Sequence, residues 1–283
     1  MLAIVGGLGA AVAFATVTLC NSRSSRMIGP GQLLAWVMLI GLAITGPLVV
    51  LEGVPEGLDG DAAVWLVVAG VGNVVGLLLA YAGLRIGKVG IVAPLVSTQG
   101  AIAALIAILA GERVAAGTGA LLAVIAVGIV LAGLAPEPAA GGQEGYSPRA
   151  TLYALAAAVA IGWSLYATAR ASIELPVVWA LIPSRLIGVA FVTVPIALGS
   201  GLRMTRPALP LVVTAGALEV AAFALFAFGA RHGIAVSAVL ASQFAVIAAI
   251  AAFVLFKERL TALQAAGVAV VVLAVGALSG VQA

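Results

Sequence analysis

The sequence predicts an all-α, polytopic membrane protein: ten transmembrane helices forming two inverted five-helix repeats. Three observations carry this. Hydrophobic residues make up 64% of the chain and charged residues 8%, where a soluble domain carries roughly a quarter charged. Apolar stretches recur at intervals of roughly 20–30 residues, and a bilayer core takes about 20 residues of helix. Finally, the chain is written twice. Shifted by 147 positions, Ala10–Ala13 falls on Ala157–Ala160, Arg23 on Arg170, and Leu39-Ile40-Gly41 on Leu186-Ile187-Gly188. One residue of slip later, Gly70 falls on Gly216, Gly83, Arg85 and Gly87 on Gly229, Arg231 and Gly233, and Glu112-Arg113 on Glu258-Arg259.

The first copy spans residues 1–134 and holds helices at 2–20, 31–51, 62–83, 89–110 and 117–134. The segment 2–20 lacks the basic lead of a secretory signal, so it reads as a retained helix. Bulky Leu19 before Cys20 argues against a lipoprotein cleavage site, and a lone cysteine excludes a disulfide framework or Cys-rich metal site. The second span carries Pro47. The third follows the acidic loop Glu52, Glu56, Asp59 and Asp61 and carries Gly72 and Gly76, a small-residue face on which a second helix can pack closely. Pro94 and the polar run Ser97-Thr98-Gln99 lie within the fourth, and Glu112-Arg113 separates it from the fifth. Residues 135–149, rich in Pro and Gly, form a linker.

The second copy spans 150–283, with helices at 150–170, 177–199, 208–230, 234–256 and 261–281. The sixth span carries Trp163 and Tyr166, the seventh Pro183, Arg185 and Pro195, and the eighth Glu219. In the ninth, Ser242-Gln243 precedes the small pair Ala248 and Ala252, and Glu258-Arg259 leads into the tenth. Five spans per copy is an odd number, so the second copy enters the membrane from the opposite side. Loops after odd-numbered helices carry Arg23, Arg26, Arg85, Lys88, Arg149, Arg203, Arg206, Lys257 and Arg259; those after even-numbered helices carry Arg113, Arg170 and Arg231. Basic loops face the cytoplasm, which puts both termini outside a cell membrane. The net charge of +3 resides in these loops and is no nucleic-acid signal.

The stretch Tyr81 to Gly133 contains Y-A-G-L-R-I-G-K-V-G-I-V-A-P-L, A-G-E-R-V and G-I-V-L-A-G, and its partner contains F-K-E-R-L-T-A-L-Q-A-A-G. Together these resemble the duplicated EamA domain of the drug/metabolite transporter superfamily. The resemblance implies a ten-helix secondary transporter, usually an exporter of amino acids, other metabolites or drugs, often proton-coupled. Its usual topology puts both termini in the cytoplasm, opposite to the loop charges here.

Glu219 is the sharpest position. A carboxylate at mid-span is costly unless protonated, paired or facing water, so it is a candidate for proton coupling or for binding a substrate amine. Arg185 is its natural partner, or a receptor for a substrate anion. The equivalent positions in the first copy hold Asn73 and Met38, so the charged pair belongs to one half. Asn73, Tyr81, Ser97, Gln99, Trp163, Tyr166, Arg185 and Gln243 are the candidate substrate-binding residues. Glu112, Arg113, Glu258 and Arg259 are expected to be helix-end salt bridges, caps or gate elements. His232 reads as a solvated loop residue. Enzyme motifs, a P-loop and a metal cluster are missing from the sequence, so no cofactor is expected. The expected partners are a small-molecule substrate and the lipid bilayer, with the chain a monomer or homodimer. Competing readings are a multidrug exporter or lipid-linked sugar flippase, and a membrane enzyme or assembly factor without transport activity.

Overall fold

The computed structural model describes residues 1–86, 92, 95–134 and 148–247, with scattered positions between 266 and 277. Nine helices occur among them: α1 Leu2–Ile28, α2 Pro30–Glu52, α3 Gly60–Ile86, α4 Leu95–Leu109, α5 Ala116–Leu134, α6 Pro148–Glu174, α7 Val177–Leu198, α8 Leu209–Ala230 and α9 Ile234–Ile247. Among the described residues there is no strand. Six helices, α1 to α3 and α6 to α8, are long and apolar enough to cross a membrane; α4, α5 and α9 are shorter apolar helices over their described lengths. Most of the predicted tenth span and of the linker, the Ala248/Ala252 face and Glu258-Arg259 lie outside the described residues, as does Pro94.

α1 runs eight residues beyond its predicted end. The polar run after Cys20 stays helical because its side chains find partners: Ser24 donates to the Cys20 carbonyl at 2.8 Å and Asn21 Nδ2 to the Tyr81 hydroxyl at 3.2 Å. Gly29, at φ 85°, ends α1, and Pro30 starts α2, where its missing N–H costs nothing. α7 contains a π-helical turn at Val189–Thr193 just before Pro195. The proline ring rejects the carbonyl four residues back, at Phe191, and the wider turn accommodates it.

α4 and α9 are each broken at their polar run. The Thr98 N–H bonds back to the Leu95 carbonyl and the Gln243 N–H to the Leu240 carbonyl, a three-residue spacing in both cases. The breaks meet. A Cβ on Gly100 would collide with Ser242 Oγ and the Ala238 carbonyl, so the helices cross there with backbones nearly touching.

α3 lies along α6, and α1 along α8; α4 packs on α6, α9 on α1, α3 on α7, α2 on both α7 and α8, and α4 on α9. Gly72 and Gly76 abut α6 at Ala160, Ile161 and Ser164, whose hydroxyl donates to the Ala69 carbonyl at 2.6 Å.

The helix ends gather at two poles. At one, Gln32 donates to the Gly201 carbonyl at 2.9 Å and Trp36 to the Arg203 carbonyl at 3.0 Å. At the other, Ser237 donates to the Ala3 carbonyl at 3.0 Å and Trp179 to the Gly53 carbonyl at 2.9 Å. The first pole carries the arginine-rich loop ends, including Arg23, Arg26, Arg149, Arg203 and Arg206; below it is the basic pole.

Candidate functional site

Arg185 of α7 and Glu219 of α8 form a buried ion pair, Nη1 to Oε1 at 3.0 Å. Arg185 is completely buried and Glu219 is 5% exposed. Gly41 of α2 makes the room: a Cβ there would stand 2.7 Å from Arg185 Cδ. The guanidinium lies 5.8 Å from the centre of the Phe223 ring and 3.6 Å from Met38 Sδ, while its Nε and Nη2 have no hydrogen-bond partner among the described residues. An ion pair this dry survives only with close geometry, because desolvation opposes it.

Glu219 opens on its other side into a cavity of about 450 Å³. Along α1 the lining runs from Phe14 to Arg26, a rise of about 18 Å. Deep in the cavity stand Asn73, Gln99 and Glu219, walled by Phe14, Phe223 and Phe244. Phe14 meets Phe223 edge to face at 5.2 Å and Phe244 at 6.3 Å. Towards the basic pole come Asn21, Ser25, Tyr81 and finally exposed Arg26, with Pro30. Tyr81 and Pro30 also border a second hollow, beside Leu78, Arg149 and Tyr153.

Beyond Phe14 the other pole is packed shut. A Cβ on Gly6 would sit 2.6 Å from the Gly229 Cα, and one on Gly7 would sit 2.8 Å from the Leu240 side chain. Arg231 Nε donates to the Ser172 carbonyl and Nη2 to the Leu175 carbonyl at 2.8 Å, which caps the C-terminus of α6. Ser172 in turn donates to the Ala227 carbonyl at 3.3 Å. Glu112, in the α4–α5 loop, accepts the Ala235 N–H with both oxygens at 3.2 Å and so caps the N-terminus of α9. Burial pushes its carboxyl above the usual range, and the Ala235 and Ile234 N–H groups pull it partway back.

Asn73, Tyr81, Gln99 and Glu219 thus line the cavity. Arg185 stands behind Glu219. Ser97 and Gln243 are buried near the α4 and α9 breaks, and Gln243 Nε2 donates to the Val239 carbonyl at 3.2 Å. Trp163 and Tyr166 do not line the cavity: Trp163 is 44% exposed on the outer face of α6, and Tyr166 packs edge to face on Trp65 at 5.6 Å. Glu112 acts as a cap rather than in a salt bridge with Arg113. His232 is exposed, its ring 3.3 Å from the Phe228 carbonyl. Phe14, Asn21, Arg26, Phe223 and Phe244 are lining residues that sequence reasoning missed. Asn21 and Arg26 had one available signal, polar residues continuing the helical register past position 20; the phenylalanines looked like any other core residue.

A multi-pass helical membrane protein with a solute-sized internal cavity is the class this fold and site define. Residues 1–134 match the model of the EamA-like transporter family, which bears out the resemblance drawn from the repeated motifs. No curated protein matches the chain. A solved structure titled "Crystal structure of protein" is similar over 99% of this chain and 97% of its own, with a TM-score of 0.77 at 22% identity. At that identity the likeness is one of fold.

Proposed function

We propose that the chain is a secondary transporter of the drug/metabolite type, which moves a small amphipathic metabolite by alternating access between two inverted repeats. The observation that carries this is the cavity itself, which reaches Glu219 from the basic pole and is packed shut at the other. The helix contacts support the repeat reading. Exchange α1 with α6, α2 with α7, α3 with α8 and α4 with α9, and each of the packed pairs named under the fold maps onto another of them or onto itself. The correspondence extends to single residues. Ile187 packs on Gly70 and Ile40 on Gly216; Arg185 packs on Gly41 and Met38 on Gly188. A bundle made of such interchangeable contacts has a second packing open at the other pole.

With the basic pole cytoplasmic, the open mouth faces the cytoplasm, the loading state of an exporter. Glu219 is the group through which a proton gradient couples. A lock at the closed pole tests the cycle. In a Cys20→Ser background, Ala3→Cys with Ser237→Cys ties α1 to α9; oxidation stops counterflow in proteoliposomes and a reductant restores it. A locked protein that transports at full rate overturns alternating access. Cysteine labelling at Arg26 and at His232 in intact cells tests direction: the His232 site reacts from outside and the Arg26 site does not. Transport that ignores a pH gradient, together with a fully active Glu219→Gln, overturns the coupling.

A further inference from the structure

We propose that the cavity takes a protonated amine, an ammonium head on an apolar or aromatic body, in preference to an anion or a zwitterion; this rests on the transporter reading above. The inner end of the cavity carries one fixed acceptor and two side-chain amides. Glu219 contributes a carboxylate, and Asn73 Oδ1 and Gln99 Oε1 are buried without a hydrogen-bond partner among the described residues, their residues 2% and 8% exposed. A buried polar atom left without a partner is costly, and neither oxygen is accessible from the cavity until its amide turns. An ammonium carries three N–H donors and no acceptor, which matches this set of three groups. The two amides can turn to present either end. The carboxylate cannot, and it sets the sign.

The placement of positive charge argues the same way. Arg185 faces Glu219 from behind, at 3.0 Å, and does not line the cavity. Among the described lining residues the only basic side chain is Arg26, at the mouth. An amino acid therefore finds acceptors for its ammonium at the inner end but no cation there for its carboxylate. The apolar body has its own place, on the Phe14, Phe223 and Phe244 cluster beside Leu77 and Leu165.

The test is calorimetric titration of the full chain in lipid nanodiscs, with protein-free nanodiscs as the blank, using four probes on one aromatic body: 2-phenylethylammonium, 2-phenylethanol, 3-phenylpropionate and phenylalanine. The ammonium is expected to bind saturably and at least about tenfold tighter than each of the others, the scale of one charge-assisted hydrogen bond. Asn73→Leu and Gln99→Leu should each weaken it by about tenfold, while outward-facing Trp163→Phe leaves it unchanged. Equal or tighter binding of the alcohol, the anion or the zwitterion overturns the proposal, as does an ammonium that fails to bind at millimolar concentration. The four-probe comparison on the unaltered protein stands whether or not the variants fold. Counterflow of any other solute would leave the transporter reading intact in those cases.

Discussion

Arg185 Nη1 lies 3.6 Å from Sδ of Met38, the residue 147 positions earlier in the chain and its counterpart in the first half. On the two-repeat reading proposed above, equivalent residues touch near the line about which the halves exchange. Each also crosses a glycine of the opposite half, Arg185 over Gly41 and Met38 over Gly188. The second half has placed a charged pair, Arg185 with Glu219, where the first half keeps Met38 and Asn73.

That comparison makes a specific variant informative. Glu219→Gln alone leaves a buried guanidinium without its counter-charge, and stability should fall by about 3–5 kcal/mol. Combining Arg185→Met with Glu219→Asn copies the first half's own solution and removes both charges. The double variant should regain most of the lost melting temperature in detergent yet bind no substrate. Recovered binding would show that the charges serve packing.

Closure of the far pole rests on backbone contact. Gly6→Ala would drive a methyl to 2.6 Å from the Gly229 Cα and 2.7 Å from the Leu225 carbonyl, neither of which is the end of a flexible side chain. Overpacking of this kind costs about 1–3 kcal/mol. The cost falls on the closed pole, so a cysteine at Ala3 in a Cys20→Ser background should label faster in the Gly6→Ala variant. Unchanged labelling would mean that α1 and α8 do not form the seal.

Much of this was legible in the sequence for a physical reason: a bilayer leaves helices little choice. Apolar length placed α2 and α7 within a residue or two of their observed bounds, and the duplication pointed to the Arg185–Glu219 pair through its mismatch with Met38 and Asn73. Hydropathy failed at α1, because the helix past Cys20 is held by Asn21 bonding Tyr81, sixty residues away. It also could not separate Trp163, on the outer face, from Phe14, on the cavity wall. Both are large apolar residues well inside a span, and only the packing of α1 against α8 and of α3 along α6 decides which way each side points.

Arg231 should matter more than an ordinary loop arginine. Its guanidinium satisfies the Ser172 and Leu175 carbonyls at the end of α6, where the helix dipole also favours a cation. Arg231→Ala should cost about 1–2 kcal/mol and speed amide exchange at the C-terminal turn of α6. A lysine keeps the charge but cannot span both carbonyls with a planar fork, so Arg231→Lys should restore only part of the protection. Full protection in Arg231→Ala would assign the cap to another group.

The Glu112 cap sets a pH dependence whose sign can be worked out. Burial raises its carboxyl above the ordinary 4.5 in the folded protein. Between 4.5 and the raised value the folded state therefore binds more proton than the unfolded chain, and stability falls as pH rises through that window. The shift is opposite to that of a salt-bridged acid, because the two N–H groups of α9 only partly offset desolvation. Glu112→Gln keeps an oxygen for the Ala235 N–H but cannot ionise. The difference in melting temperature between wild type and Glu112→Gln, followed from pH 4 to pH 8 as an interval of about four units, should grow in favour of the variant. A difference that stays constant would mean that Glu112 has the same proton affinity folded and unfolded, and a difference that shrinks would reverse the sign.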